Sequence, residues 1–234
     1  MTRARVSMPR VLRILGGRFG PLLVALIALI LTAPVAASGG AWALAVSIFA
    51  AAVLVASLYA AWPRRRSLAV GLALAATDVG ISGLASVVGD RGAVLLQISL
   101  WLLTLVVVTA ALVEAILATS RVTADTILAA LCVYILLVLS WAYLYALIER
   151  LAPGTFLSPS GLHDAWSAAR WRRTELNRLL GFSFGAMTAV GDEGLRTPRP
   201  FAHLLACLEA MTGQVYLAVL VARLVGMNKP EAPQ

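Results

Sequence analysis

The residues of this chain best suited to chemistry are small ones. Gly181-Phe-Ser-Phe-Gly-Ala-Met-Thr-Ala-Val-Gly-Asp-Glu-Gly194 precedes a long apolar run that carries one internal glycine, Gly213. Thr188, Ala189, Val190 and Gly191 bring no bulky polar side chain, so the chemistry open to them is that of the backbone carbonyl. Dehydrated cations are coordinated by successive carbonyls aimed at one axis, which demands a chain free of large inward side chains and able to take unusual φ values. Asp192 and Glu193 follow at once, with Gly194 closing the segment. Little competes with this chemistry. His163 and His203 are the only histidines, and neither a metal-ligand motif nor an inverted repeat is present, which argues against an enzyme or a transporter.

Such a turn needs a rigid frame, and the composition says what kind. Hydrophobic residues make up 61% of 234 positions and only 13% are charged, with a mean hydropathy of +0.90. A soluble domain of this length needs far more charge to cover its surface. Apolar runs of about 20 residues cross the hydrocarbon core of a bilayer. They occur at Pro21–Ala37, Ala41–Trp62, Ser67–Val88, Gly92–Thr119 and Thr126–Ile148, and again at Phe201–Val225. The expectation is an all-α membrane protein of six spans. Thr174–Met187 is expected to form a short re-entrant helix between the fifth and sixth spans, and Thr188–Gly191 the strand that follows it. The domains expected are a basic segment 1–20, a four-helix part 21–122, a helix–loop–helix part 123–226 and a short tail 227–234.

Phe182-Ser-Phe184, Thr188, Val190-Gly191, Thr197-Pro198 and the helix after them make this region similar to the pore of tetrameric potassium channels. The filter of that family normally reads T-V-G-Y-G-D. The layout resembles that of bacterial six-helix channels, most strongly from about Thr123 to Gly226. The resemblance implies a homotetramer with Thr188–Gly191 at its axis, an ion-conduction filter of Thr188–Gly194, K⁺ or Na⁺ as permeant ions and no bound cofactor. The filter is altered: Ala189 lacks the hydroxyl that the family's second threonine gives the innermost ion site. Asp192 stands in place of the tyrosine and Glu193 in place of the second glycine. Weak discrimination among monovalent cations is therefore expected, and four copies of Asp192 and Glu193 would form an acidic ring that favours cations. Arginines of the 149–200 segment are expected to pair with its acids. The alternative is a non-conducting or regulatory membrane protein that retains the fold.

Two residues of the last span stand out. Gly213 is read equally as a gating hinge or as a site of close helix packing. Glu209 is an intramembrane acid level with the re-entrant helix, expected to hydrogen-bond to that helix and support it. Cys132 and Cys207, inside predicted helices, read as small core hydrophobes. Arg3, Arg5, Arg10, Arg13 and Arg18 precede the first span and Arg64-Arg65-Arg66 follow the second. By the positive-inside rule both termini are expected in the cytoplasm of a cell with this chain in its inner membrane. Lipids and further copies of the chain are the expected partners, and nucleic acid is not.

Asp78 and Glu114 are read as polar links between spans. Between Arg91 and Arg121 there is no basic residue. One charge moved through 100 mV is worth about 2.3 kcal/mol, and a fourth span without arginine or lysine lacks that lever. Current through this chain should therefore depend only weakly on voltage. A steep conductance–voltage curve that survives Arg121→Gln and Glu114→Gln would overturn this expectation.

Overall fold

The computed structural model describes residues 17–36, 48–57, 73, 76, 77, 80, 91–119, 123–156, 175–191 and 199–226. All regular structure among them is helical. The elements are α1 (Gly20–Ala36), α2 (Ile48–Ser57), α3 (Arg91–Leu117), α4 (Ala124–Leu151), α5 (Asn177–Met187) and α6 (Pro200–Gly226). Three of these are long and apolar enough to cross a membrane, namely α3, α4 and α6, and they coincide with the fourth, fifth and sixth predicted spans. The first two predicted spans correspond to the shorter apolar helices α1 and α2. The third, Ser67–Val88 with Asp78, falls almost wholly outside the described residues, as do the arginines at 3–13 and 64–66.

The central helix is α4, which packs against α1, α3, α5 and α6. Its buried positions run around its whole circumference, from Thr126 and Leu128 to Glu149 and Arg150. A capping box starts it: the Thr123 hydroxyl accepts the Thr126 N–H at 3.3 Å, and the Thr126 hydroxyl accepts the Thr123 N–H at 3.4 Å. Asp125 in the first turn suits the positive end of the dipole. It also reaches across the bundle to accept the Phe19 N–H at 3.0 Å, so that one acid serves the starts of both α4 and α1. Gly17 lies so close to Asp125 that any side chain there would collide with the carboxylate.

The partners of α4 each present a narrow stripe. Along α3, Val94, Ile98, Trp101, Leu105, Val108 and Leu112 recur at alternating four- and three-residue steps, and all are buried. That spacing keeps one seam facing a neighbouring helix. The seam of α6 is Ala202, Ala206, Glu209, Gly213, Tyr216, Leu220 and Arg223, buried or half-buried, while Phe201, Leu204, Leu208, Met211, Val215 and Val219 face outward. Tyr216 donates its hydroxyl hydrogen to Ala130 O of α4 at 2.7 Å. At the far end of α6, the Arg223 guanidinium donates to Leu117 O at 3.1 Å and Thr119 O at 2.9 Å, satisfying carbonyls at the end of α3.

Cys132 is buried in the core as expected, but Cys207 is exposed. The reason is geometric: position 207 lies off the α6 seam, beside rather than on the stripe that meets α4 and α5. His203, one turn earlier, is also exposed, with Nε2 3.8 Å from Cys207 Sγ.

Gly213 is explained by contact. A Cβ built there runs into the carbonyl oxygen of Met187, the last residue of α5, and lies 3.1 Å from its sulfur. Of the two readings of Gly213, close packing has a direct structural cause. Because the obstacle is backbone, it cannot rotate away, and overpacking of this kind costs about 1–3 kcal/mol. Gly213→Ala should lower the thermal midpoint of the purified protein by that equivalent, whereas Gly181→Ala, where a Cβ meets nothing within 4 Å, should not destabilise it.

Candidate functional site

The site is built around α5, held between α4 and α6. Its beginning is fixed by charge. Arg150 of α4 and Glu175 form an ion pair at 2.7 Å with both side chains more than nine-tenths buried. Burial pushes the Glu175 carboxyl above its ordinary range, and the Arg150 guanidinium pulls against that. Beside them the Glu149 carboxylate accepts the N–H groups of Gly154 at 2.6 Å and Phe156 at 2.7 Å, bending the chain back over the end of α4. Gly154 supplies the positive φ of that bend, 80°. The expected pairing of arginines with acids in this segment holds for Glu175, and the Glu149 carboxylate also binds backbone N–H groups. The bend tucks Phe156 against Tyr145 and Phe182, with ring centroids 4.5 and 6.1 Å away.

Leu179, Leu180, Phe182, Ser183 and Met187 form the buried face of α5. Phe182 lies edge-on to Tyr145, centroids 5.5 Å apart. Ser183 lies at a junction: its Oγ donates to Val138 O of α4 at 2.8 Å and is also hydrogen-bonded to Glu209 Oε1 of α6. Glu209 is fully buried, and its Oε2 accepts the Tyr145 hydroxyl at 2.6 Å. One carboxyl group thereby joins α4, α5 and α6. This is the support expected of Glu209, with one partner on the short helix and a second on α4.

The far end of α5 closes in a compact turn. A helix leaves its last four carbonyls without intrahelical partners, and here each has one. Phe184 O accepts the Thr188 N–H at 3.1 Å, Gly185 O that of Gly191 at 3.1 Å and Ala186 O that of Ala189 at 3.0 Å. Met187 O accepts the Tyr134 hydroxyl at 3.1 Å. Thr188 Oγ1 adds a bond to Phe184 O at 2.7 Å. This corrects the expected strand. Thr188 is in right-handed helical conformation, Ala189 has φ 56° and Gly191 φ 79°, because bonding the helix end wraps the chain back on itself. No donor among the described residues bonds the carbonyls of Thr188, Ala189, Val190 or Gly191. All four residues are exposed, Val190 at 83%. Asp192, Glu193 and Gly194 lie outside the described residues.

Beside the turn, Phe182, Gly185, Ala186, Ala189, Gly191, Ala206, Cys207 and Ala210 line an open, apolar cavity of about 210 Å³ between α5 and α6. Among the described residues no group of three or more His, Cys, Asp or Glu side chains is placed to hold a metal ion. Comparison with protein-family models, with curated proteins and with solved structures gives no match. The reading of the site therefore rests on its own residues.

Tyr134 and Tyr145 belong to the site, and the sequence carries no local sign of it, since their partners lie 53 and 64 positions away. Positive φ at Ala189 is likewise invisible in a sequence, because alanine has no special claim to it. For an L-residue the left-handed region costs roughly 1–2 kcal/mol. Ala189→Gly should remove that strain and leave thermal stability unchanged or raised by up to about 1 kcal/mol. Ala189→Thr, β-branched at the same φ, should lower it by about 1 kcal/mol or more. Paired unfolding curves in one detergent decide the matter, and a stabilising threonine would show that the turn does not hold this conformation.

Proposed function

We propose that α4, α5 and α6 are one subunit's share of a cation-conducting pore. In this reading α5 is the re-entrant pore helix, Thr188–Gly191 the ion-coordinating backbone and Asp192–Glu193 an acidic mouth. The observation that carries the reading is the division of carbonyls at the end of α5. The last four of the helix are bonded within the protein, and the next four, on exposed residues with no charged side chain, have no donor among the described residues. Carbonyls displayed in this way are ligands for monovalent cations, and the negative end of α5 adds to the attraction.

Two further facts support an assembly. Only 11% of the α6 span is buried within one chain, against 56% of α4, so α6 has most of its surface left for lipid and for other copies. One turn per chain cannot enclose an axis, and cyclic symmetry of four copies can. The contacts of Asp125 with Phe19, and of Arg223 with Leu117 and Thr119, put the start of α1, the end of α3, the start of α4 and the end of α6 at one end of the bundle. That agrees with both termini on the cytoplasmic side of an inner membrane.

Mass measurement in detergent should give four chains per particle. Reversal potentials of purified protein in K⁺/Na⁺ gradients should show permeation with little preference between the two ions, and Asp192→Tyr with Glu193→Gly should shift it toward potassium. Monomers alone in detergent would defeat the tetrameric pore. A tetramer that passes no ion at any voltage would favour the non-conducting alternative.

A further inference from the structure

The cluster around Glu209 holds more bonds than its hydroxyl groups can supply with an ionised acid. A serine hydroxyl has one hydrogen to donate. Ser183 donates its hydrogen to Val138 O, so its second bond, to Glu209 Oε1, must be donated by the acid. The Tyr145 hydroxyl likewise has one hydrogen and places it on Glu209 Oε2, the shorter of its two contacts at 2.6 Å, with Leu205 O at 3.3 Å. The arrangement closes only as a directed chain: Tyr145 to Glu209, Glu209 to Ser183, Ser183 to Val138 O.

The surroundings agree. Tyr134 and Tyr145 are the titratable groups that α4 turns toward Glu209, with Glu149 one turn beyond Tyr145. From α5 comes Ser183, while the charged residue of that helix, Arg178, is exposed. On α6 itself Cys207 and His203 are exposed and bonded to each other. Among the described residues no cation pairs with Glu209. An anion buried without a cation is strongly disfavoured and draws in water.

We propose that Glu209 is a regulatory proton site: bound, its proton completes the chain that fixes α5 against α4 and α6, and its loss loosens α5 and the Thr188–Gly191 turn. The functional part of this inference, proton-linked conduction, rests on the pore reading above; the proton site itself does not. The link is short. Ser183 lies one helical turn before Met187, whose carbonyl is wedged between the Tyr134 hydroxyl and Gly213. When Glu209 ionises, Ser183 must turn its hydrogen from Val138 O to the carboxylate, and water entering beside the anion separates α5 from α6.

The test uses the full-length protein in lipid. Infrared difference spectra between acid and alkaline buffer should contain a carboxylic-acid carbonyl band that Glu209→Gln removes. Ser183→Ala, which leaves the acid in place, should shift that band because its acceptor is gone. Amide exchange in residues 183–191 should be several-fold faster in wild type than in Glu209→Gln at alkaline pH and equal at acid pH. Conductance should fall on the alkaline side in wild type and stay level in Glu209→Gln. Superimposable infrared spectra of wild type and Glu209→Gln at every pH would overturn the proton site. A band that Ser183→Ala leaves unmoved would overturn the chain. A titrating Glu209 with pH-independent exchange would overturn the link to the turn. Absence of current in both proteins at all pH values, with the infrared and exchange results as expected, would overturn the pore reading and leave the proton site standing.

Discussion

An unpaired carbonyl in apolar surroundings is costly, and much of the architecture around α5 follows from that constraint. The last carbonyls of α5 lie between α4 and α6, and each needs a partner there. The chain answers by folding Thr188, Ala189 and Gly191 back onto Phe184, Ala186 and Gly185. Tyr134 supplies the bond to Met187 O that the backbone cannot. The same carbonyl lies against α6, where position 213 has no room for a side chain. A left-handed alanine and a mid-helix glycine thus both stand against the carbonyls that end α5.

The other end of α5 is held by a different kind of force. Arg150 and Glu175 are buried charges, and burying such a pair brings small net stability while losing one partner is severe. Their effect is to fix where α5 begins, while the aromatic group of Tyr145, Phe156 and Phe182 fills the space beside it. Between the two ends, Ser183 and Glu209 set the depth at which the helix lies. With three separate fixings along eleven residues, the position of the turn is over-determined, which a backbone in sparsely populated conformations requires.

How much of this was legible in the sequence divides along physical lines. The spans at α3, α4 and α6 were readable because lipid selects on apolar length alone, and length is a property of the sequence. Glu209 was readable as an anomaly, since an acid in such a run is expensive wherever it points. Its partners were not, because Tyr145 and Ser183 look like ordinary members of amphipathic helices until the helices are placed side by side. Gly213 admitted two readings, and the approach of Met187 O gives the close-packing one a physical cause that no sequence pattern carries. The compact turn replaced an expected strand because the carbonyl accounting at a helix end depends on what stands nearby. Asp192–Gly194, the most informative departures from the potassium-channel pattern, lie outside the described residues.

The bonds at the bundle's other end have a consequence for biosynthesis. Phe19 and Asp125 are 106 positions apart, and so are Leu117 and Arg223. At about 5–20 residues per second, roughly 5–20 s separate the appearance of α1 from that of the acid that caps it. A similar interval separates the end of α3 from the arginine that completes it. During each wait the exposed groups need lipid headgroups, water or a chaperone to occupy them. The bundle is therefore sealed late, by α6, and a chain that has not yet reached Arg223 holds helices whose ends are still open.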